Sequence, residues 1–454
     1  METKPKSSGR REFIGNAVAL GTMGALGAGY LLSSCNPGKR YEAPVFYDTA
    51  PDGPVLKAGL IGCGGRGTGA ALNFLNAGPN LEITAIGDVF QHRVDNCRKS
   101  LKERRGIDIS DQNCFTGFDA YKGVIGSDVD VILHVTPQHF RPLHFEAAVQ
   151  ARKHIFIEKP GAVDPVGARS VMASGRMADA AGLVVVAGTN FRHQRDYLTT
   201  HSMVQSGVIG DLVSANAWDI RGKIWHVNRQ EGWCDMEAML RDWMNWYWLS
   251  GGDNVDIAVH QIDMVSLYFG KHPVKALGFG GRHRRPTGDV YDYYSIEYEF
   301  DDGKIFNCKT RCIDGCHNKH GFLIFGTKGY TNCLNRIWDY DDNLIWEYEY
   351  PLDQDGNPTN RVAISSYDEE HINFVTAIRN NTPMNQTHNL AAATLCGIMG
   401  RESAITGREV TWDEMMASNL RLGPDNYLMG PLNITTDVPV PGTAPDISRS
   451  RSGA

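Results

Sequence analysis

The sequence predicts an α/β protein with two folded domains, and three features of its 454 residues lead to this prediction. In the first part of the chain, short continuous apolar runs alternate with helix-period segments, which is typical of a doubly wound parallel sheet. Longer, aromatic and partly alternating runs follow, which favour an α+β domain with a large, mostly antiparallel sheet open on one face. The composition, 42% apolar and 21% charged, is ordinary for a globular protein.

The first predicted domain spans residues 55–190 and consists of alternating strands and helices. Its predicted strands are Val55–Ile61, Leu81–Ile86, Val129–Val135, His154–Ile157 and Leu183–Ala187. Its predicted helices are Gly67–Asn76, Gln91–Arg105, Phe140–Ala151 and Val166–Ala181.

The second predicted domain spans residues 191–430. Its predicted strands are Leu212–Asp219, Val274–Gly280, Tyr293–Phe300, Lys304–Cys312 and Leu344–Tyr350, and its predicted closing helices are Asp368–Arg379 and Leu390–Ile405. Residues 36–54 contain several prolines and no amphipathic period, so we expect a tether there. Residues 431–454 are predicted to form a disordered tail.

The first 35 residues are typical of an export signal. A basic head precedes an apolar stretch rich in Gly and Ala. Arg10-Arg11 resembles the twin-arginine signal for exporting folded proteins, and Leu32–Cys35 resembles a lipobox that leads to lipidation of Cys35. We expect a periplasmic protein or a membrane-anchored lipoprotein that contacts the membrane only through this segment. An uncleaved anchor helix is the alternative.

Charge and cysteine content exclude several classes of protein. Lys and Arg total 45 against 52 Asp and Glu, a formal net charge of −7, whereas nucleic-acid binders need a basic surface. No nucleic-acid partner is expected. Ten cysteines are too few for a disulfide scaffold. No metal site is predicted, because the cluster Cys308, Cys312, Cys316, His317 and His320 lacks common zinc-ligand spacing.

The segment Gly62–Gly67, with the sequence GCGGRG, carries the cofactor prediction. It lies between a predicted strand and a helix, and Asp88 follows the next strand, as in a dinucleotide-binding βαβ unit. The glycines permit a tight turn and let the backbone approach a pyrophosphate at the helix N-terminus. Asp88 favours NAD over NADP because it accepts from a ribose 2′-hydroxyl; Arg66 and Arg93 are the residues that could reverse this preference. A purely structural turn is the alternative.

Two further motifs follow predicted strands, where doubly wound sheets bind ligands. They are Thr136-Pro137-Gln138-His139 and Glu158-Lys159-Pro160. The Lys159 ammonium can donate to a substrate hydroxyl and to a nicotinamide, although a surface lysine before a turn is the alternative. The predicted cofactor-binding residues are therefore Gly62, Gly64, Gly65, Arg66, Gly67, Asp88, Thr136, Pro137, His139, Glu158 and Lys159.

A predicted helix after Gly251-Gly252 places Asp256, His260 and Asp263 on one face, at positions i, i+4 and i+7. This spacing would let Asp256 orient His260, whose neutral imidazole suits proton abstraction near neutral pH. A solvated polar stripe is the alternative.

In this order the four motifs resemble the Gfo/Idh/MocA superfamily, named after glucose–fructose oxidoreductase and inositol dehydrogenase. The resemblance covers about residues 55–425. It implies a Rossmann domain, a catalytic lysine at Lys159 and an Asp/His pair at Asp256 and His260. The implied substrate is a carbinol of a sugar, glycoside or cyclitol.

Tryptophans are concentrated just before the predicted Asp/His helix, and their faces suit pyranose rings. We therefore name Trp225 as a substrate residue, with Arg192 and Tyr197 as further candidates at the domain junction. Packing beneath the sheet is the alternative for the tryptophans, which are Trp218, Trp225, Trp233, Trp243, Trp246 and Trp248.

Together these features predict an exported NAD-dependent oxidoreductase that acts on a sugar, glycoside or cyclitol. Free NAD is not expected outside the cytoplasm, so the cofactor would be held tightly. An NAD-dependent glycoside hydrolase that works by transient oxidation and elimination is the alternative. However, the exported branch of such hydrolases has a His-Gly motif and lacks the Lys159 equivalent. A non-catalytic sugar-binding lipoprotein is the third possibility. The open sheet face also favours a homo-oligomer.

Overall fold

The computed structural model describes residues 41–443, and it confirms the predicted fold class. The first sheet has six parallel strands in the order β3-β2-β1-β4-β5-β6, which is the doubly wound arrangement. Its strands are β1 (Leu56–Ile61), β2 (Leu81–Asp88), β3 (Cys114–Thr116), β4 (Val131–His134), β5 (His154–Ile157) and β6 (Val185–Ala187). The short β3 was not predicted, because its three residues are not buried and carry no apolar run.

Five helices accompany this sheet. They are α1 (Gly65–Asn76), α2 (Gln91–Arg105), α3 (Ala120–Gly126), α4 (Arg141–Gln150) and α5 (Pro165–Ala180). Because the strands are buried on both faces, their carboxyl ends provide an open edge on which a ligand can lie.

The second sheet has nine strands in the order β14-β13-β12-β11-β7-β10-β9-β8-β15, and only β7 and β10 pair in parallel. On β7, Ala215, Ala217 and Asp219 are buried while their neighbours are partly exposed, so one face of the sheet is covered. The strands are β7 (Leu212–Arg221), β8 (Lys275–Gly281), β9 (Tyr293–Glu299), β10 (Ile305–Cys312), β11 (Lys319–Gly326), β12 (Gly329–Thr331), β13 (Arg336–Asp339), β14 (Leu344–Glu347) and β15 (Val410–Thr411).

Eight α-helices follow β6 within residues 41–443, and two of them join the sheets. Helix α11 buries Ile372, Phe374 and Val375 in the core of the first sheet, although in the chain it follows β14 of the second sheet. Helix α12 packs against both α5 and β8. The helices are α6 (Arg195–Gln205), α7 (Asp235–Arg241), α8 (Tyr247–Ser250), α9 (Asp253–Asp256), α10 (Val259–Phe269), α11 (Ser366–Arg379), α12 (Thr387–Thr406) and α13 (Trp412–Ala417).

The segments at both ends of the described chain lie against the folded body. In the predicted tether, Ala50 is buried and its main-chain N–H donates to Ala77 O. In the predicted disordered tail, the Leu432 N–H instead donates to Asp235, and Pro439 O accepts from the Tyr291 hydroxyl. Tail residues 431–443 are therefore attached to the body, contrary to the prediction of disorder. The predicted signal and residues 444–454 lie outside the described residues.

Within residues 41–443, no helix combines the length and hydropathy needed to cross a membrane.

Candidate active site

A cavity of about 1170 Å³ lies between the carboxyl ends of the parallel strands and the covered face of the second sheet. One end, which we call the cofactor end, is lined by Gly62–Gly69, Asp88 and Phe90. The other, which we call the substrate end, is lined by Lys159, Asp219, Arg221, Trp225, Trp243, Asp256, His260 and His320. Both sheets thus contribute walls to a single site.

At the cofactor end, the glycine loop has the close contacts that its sequence predicts. Gly62 has a φ of +101°, and a Cβ there would lie 2.6 Å from Val135 O. A Cβ on Gly67 would lie 1.8 Å from Gly62 O, whereas one on Gly65 would meet nothing within 4 Å. The loop therefore leaves open space at the start of α1, where main-chain N–H groups can bind a pyrophosphate.

Asp88 is held at the end of β2 and lines the cavity. One carboxylate oxygen accepts the Cys63 N–H at 2.8 Å, and the other accepts the Phe90 N–H at 3.0 Å. Both oxygens retain a lone pair for a ribose hydroxyl. The glycine loop and Asp88 therefore fit a dinucleotide that has a free 2′-hydroxyl.

Arg66, one of the two residues named above as able to reverse the preference for NAD, is engaged elsewhere. Its guanidinium pairs with Glu158 at 2.5 Å and with Glu370 at 2.7 Å, and it lies over the Tyr367 ring. Its charge is thereby balanced within the protein. Arg93 also lines the cavity, with its guanidinium over the Phe90 ring.

The two strand-end motifs reach the cavity in part. Thr136, Pro137, Glu158 and Lys159 line it. His139, predicted to bind the cofactor, does not lie on the cavity wall. It shares a 2.8 Å hydrogen bond with the Tyr427 hydroxyl, and burial lowers its pKa to about 3. A position five residues beyond the end of β4 thus serves packing behind the wall.

Lys159 and Asp256 meet across the cavity. The Lys159 ammonium donates to the main-chain oxygen of Asp256 at 2.7 Å and lies 3.7 Å from its carboxylate. The Gln138 side-chain amide also donates to that carboxylate. The Lys159 N–H donates to Glu158 at 2.9 Å. Glu158 after β5 and Asp256 of the second domain thereby fix the position of the lysine, and Gln138 after β4 holds Asp256.

The predicted geometry of Asp256 and His260 is wrong in one respect. They lie on two successive helices and not on one, because α9 ends at Asp256 and α10 begins at Val259. Asp256 contacts Lys159 and Gln138, and no hydrogen bond joins it to His260 among the described residues. Both side chains still line the same cavity.

His260 lies against the Phe191 ring, with centroids 4.9 Å apart. Its buried Nδ1 has no hydrogen-bond partner within residues 41–443. Burial lowers the pKa of His260 well below its usual value, and the nearby charges of Lys159, His320 and Arg221 lower it further. The imidazole is therefore neutral near pH 7 and able to accept a proton.

Three polar residues at the substrate end were not predicted to line it. Asp219 and Arg221 lie on β7 and form a bidentate ion pair with both contacts at 2.5 Å. His320 on β11 pairs with Asp219 in the strand register, and its Nε2 lies 3.7 Å from that carboxylate. Asp219 could have been found from the sequence, because a carboxylate at a buried position of an alternating strand is unusual. The pairing of His320 with Asp219 could not, because it depends on the register of the sheet.

The predicted substrate residues divide into two groups. Trp225 lines the cavity, is 47% exposed and packs edge-on against Trp243, also on the wall. Arg192 and Tyr197 do not line it. Arg192 pairs with Asp263 at 2.6 Å, and Tyr197 is buried against Phe191.

Of the other tryptophans, Trp218 lies under the Lys319 ammonium and Trp248 is buried. Only Trp225 and Trp243 of the six therefore form the cavity wall.

An apolar cluster joins the first domain to the tryptophan-rich segment beside the cofactor end. Its buried members include Phe90 and Phe140 from the first domain and Leu240 from α7. The Arg241 guanidinium lies 4.3 Å from the Phe90 ring centroid. Leu422, Tyr427, Leu432 and Ile434 pack on this cluster from the chain's end. We call this arrangement the interdomain clasp.

Two family models match the chain. "Oxidoreductase family, NAD-binding Rossmann fold" matches residues 56–189, and "GFO/IDH/MocA C-terminal domain" matches residues 197–332. Together they cover more than half of the 454 residues.

The curated relatives are distant and differ in their named activities. A 2,7-anhydro-N-acetylneuraminate hydratase of Escherichia coli is 26% identical over 61% of this chain and 66% of its own length. A glycosyl hydrolase family 109 protein of Shewanella pealeana is 25% identical, covering 76% of this chain and 81% of that protein. A myo-inositol 2-dehydrogenase of Thermotoga maritima is 23% identical over 72% of this chain and 90% of its own length.

Among solved structures, the fold is similar to that of scyllo-inositol dehydrogenase from Lactobacillus casei with bound NAD(H) and scyllo-inositol. The TM-score is 0.59 at 19% identity, and the match covers 79% of this chain and 99% of that one.

Proposed function

Because this chain belongs to the GFO/IDH/MocA family of NAD-binding oxidoreductases, we propose that it oxidises or reduces a carbinol of a sugar, glycoside or cyclitol. The observation that carries this proposal is the meeting of Lys159, Asp256 and His260 in the cavity that holds the glycine loop. When bound, NAD supplies the group that accepts or returns a hydride. The remaining chemistry belongs to the side chains.

His260 is the proposed general base for the substrate hydroxyl. Its imidazole is neutral near pH 7 and lines the cavity, so a ring nitrogen on the cavity side can accept the hydroxyl proton. The proton that it accepts leaves a partial negative charge on the substrate oxygen. Lys159 lies at the same end of the cavity, and its ammonium stabilises that charge. Asp256 and Gln138 position Lys159 without blocking His260.

We further propose that NAD is held tightly, as an enzyme working outside the cytoplasm requires. The interdomain clasp supports this, because it joins the second domain and the chain's end to Phe90, which lies beside Asp88 at the cofactor end. These contacts would slow opening of the cofactor end, because separating them exposes apolar surface to water. Arg241→Ala should increase loss of nucleotide during gel filtration, measured as the nucleotide released from denatured protein. Retention equal to that of the unaltered protein would contradict the clasp's role.

Export to the periplasm or to a lipid anchor is part of the same proposal. It rests on Arg10-Arg11 and Leu32–Cys35, which precede the described residues. The test is fractionation of cells that produce either the full chain or its Arg10-Arg11→Lys-Lys variant. The variant should stay in the cytoplasm. The same distribution for both proteins would oppose the twin-arginine route.

The experiment that tests the activity uses residues 41–454 purified with bound NAD. Candidate sugars, glycosides and cyclitols are added in turn, and the absorption band of reduced nicotinamide is followed. A lasting rise with at least one compound is expected. Failure of every compound, together with an unchanged spectrum in the presence of excess NAD, would contradict the proposed function.

A hydrolase is the second candidate, and the similarity to glycosyl hydrolase family 109 proteins supports it. Transient oxidation acidifies a neighbouring C–H bond and permits loss of the aglycone, after which the cofactor is restored. Release of aglycone with no lasting rise in absorbance would favour this candidate. The presence of Lys159 and of Gln261 after His260 favours the oxidoreductase.

A further inference from the structure

The floor of the substrate end holds an ion pair that none of the family's motifs contains. Asp219 is 3% exposed, whereas the Arg221 side chain is 48% exposed, and both line the cavity. The Nε and Nη2 groups of Arg221 bind the carboxylate, and Nη1 has no hydrogen-bond partner within residues 41–443. One amino group therefore remains available to a ligand.

Asp219 also has neighbours on two other elements. Gln261 on α10 donates to the same carboxylate at 3.4 Å, and His320 approaches it from β11. Gln261 follows His260 directly in sequence. The ion pair is thereby linked to the strand and the helix that frame His260.

The substrate end has matched fixed charges. Each of its two carboxylates has a cation: Asp219 pairs with Arg221 at 2.5 Å, and Asp256 lies 3.7 Å from Lys159. A carboxylate-bearing sugar would have to compete with Asp219 for Arg221, or leave its own charge poorly paired. A neutral diol can accept from the free Nη1 and donate to a carboxylate lone pair without breaking either pair.

On this basis, and resting on the proposed function, we propose that the Asp219–Arg221 pair determines specificity. It binds vicinal hydroxyls of a neutral substrate and excludes the corresponding uronate. Asp219 supplies the negative charge that prevents Arg221 from binding a carboxylate.

The test measures binding to the NAD-loaded protein by calorimetry. The probes are methyl glucosides and methyl galactosides of both anomers, each compared with its own uronate. Within each pair of glycoside and uronate, the neutral compound should bind about tenfold more tightly, because leaving a polar or charged group without its partner costs free energy on that scale.

Two variants should move this ratio in opposite directions. Asp219→Asn leaves Arg221 unpaired, so the preference for the neutral probe should fall about tenfold. Arg221→Gln leaves the Asp219 charge facing the cavity, so the relative binding of uronate should weaken further. A purely structural ion pair would weaken both probes together in both variants.

Asp263→Asn is the matched control, because Asp263 forms a similar buried pair with Arg192 away from the cavity lining. It should leave the ratio unchanged. Tighter binding of uronate by the unaltered protein would overturn this inference and leave the proposed function standing. Equal effects of Asp219→Asn and Asp263→Asn on the ratio of neutral to uronate binding would do the same. Absence of binding by every probe and by myo-inositol, with NAD bound, would count against the proposed function as well. Nucleotide content and circular dichroism verify that each variant folds. If only one of Asp219→Asn and Arg221→Gln folds, that variant by itself provides the test.

Discussion

The two ends of the cavity are built in different ways. The cofactor end comes mainly from one contiguous segment, Gly62–Gly69, together with Asp88. The substrate end combines residues from distant parts of the chain, including Lys159, Arg221 and His320. The first recognises its ligand through backbone shape, and the second through side-chain charge. Changes in side-chain volume should therefore impair the cofactor end most, and changes in charge should impair the substrate end most.

The largest expected effect is at the substrate end. Lys159→Met keeps an unbranched side chain of similar length and removes the ammonium. We therefore expect kcat to fall by about 10²–10³ while nucleotide content stays unchanged. Single-turnover absorbance measures this. Lys153→Met is the control, because Lys153 also donates to a main-chain oxygen but does not line the cavity. Loss of bound NAD in the Lys159 variant would show that the two ends are not separable.

At the cofactor end, a single methyl group should have the next largest effect. Gly67→Ala places a Cβ 1.8 Å from Gly62 O, so we expect stability to fall by about 1–3 kcal/mol and NAD affinity to fall with it. Thermal melts and nucleotide content measure these effects. Gly65→Ala, whose Cβ meets nothing within 4 Å, should retain the fold. Equal behaviour of the two variants would refute the close-contact explanation.

How much of the site the sequence reveals follows the same division. The glycine loop and Asp88 could be predicted because their spacing is local and each lies at a strand end. Asp219 and His320 become neighbours only through the register of β7 and β11, which no single segment encodes. The Asp256–His260 geometry was predicted from helical periodicity, but the helix is interrupted between them.

The second domain shows the same limit at the level of the fold. Long alternating strands such as β9 and β10 were predicted, whereas β11, β12 and β13 were not. Helix α11 was predicted as a helix, but nothing local indicated that it packs on the first sheet. Arg192 was assigned to the substrate by its position after β6, while its charge is satisfied by Asp263.

A third effect concerns pH. The pKa of His260 is lowered by burial and by Lys159, so its neutral form persists below the usual histidine range. The acid limb of kcat/KM should therefore lie below about pH 6.5. His201→Asn removes a partly buried histidine outside the cavity, whose pKa burial lowers to about 4, and should leave the limb in place. An acid limb above neutral pH would exclude His260 in its proposed role.

The smallest expected effect concerns the aromatic wall. Trp225→Ala removes an exposed ring from the substrate end, so KM should rise several-fold with little change in kcat. Trp218→Ala is the control, because that ring lies under Lys319 and does not line the cavity. A fall in kcat without a change in KM would place Trp225 outside substrate binding.

The central claim is that His260 moves the substrate proton in a cavity where NAD binds independently of it. The most direct test is single-turnover reduction in the unaltered protein and in His260→Asn, at equal nucleotide content. We expect a rise in reduced-nicotinamide absorbance in the first, and a rate at least about 10²-fold lower in the second. Equal rates in the two proteins would contradict it.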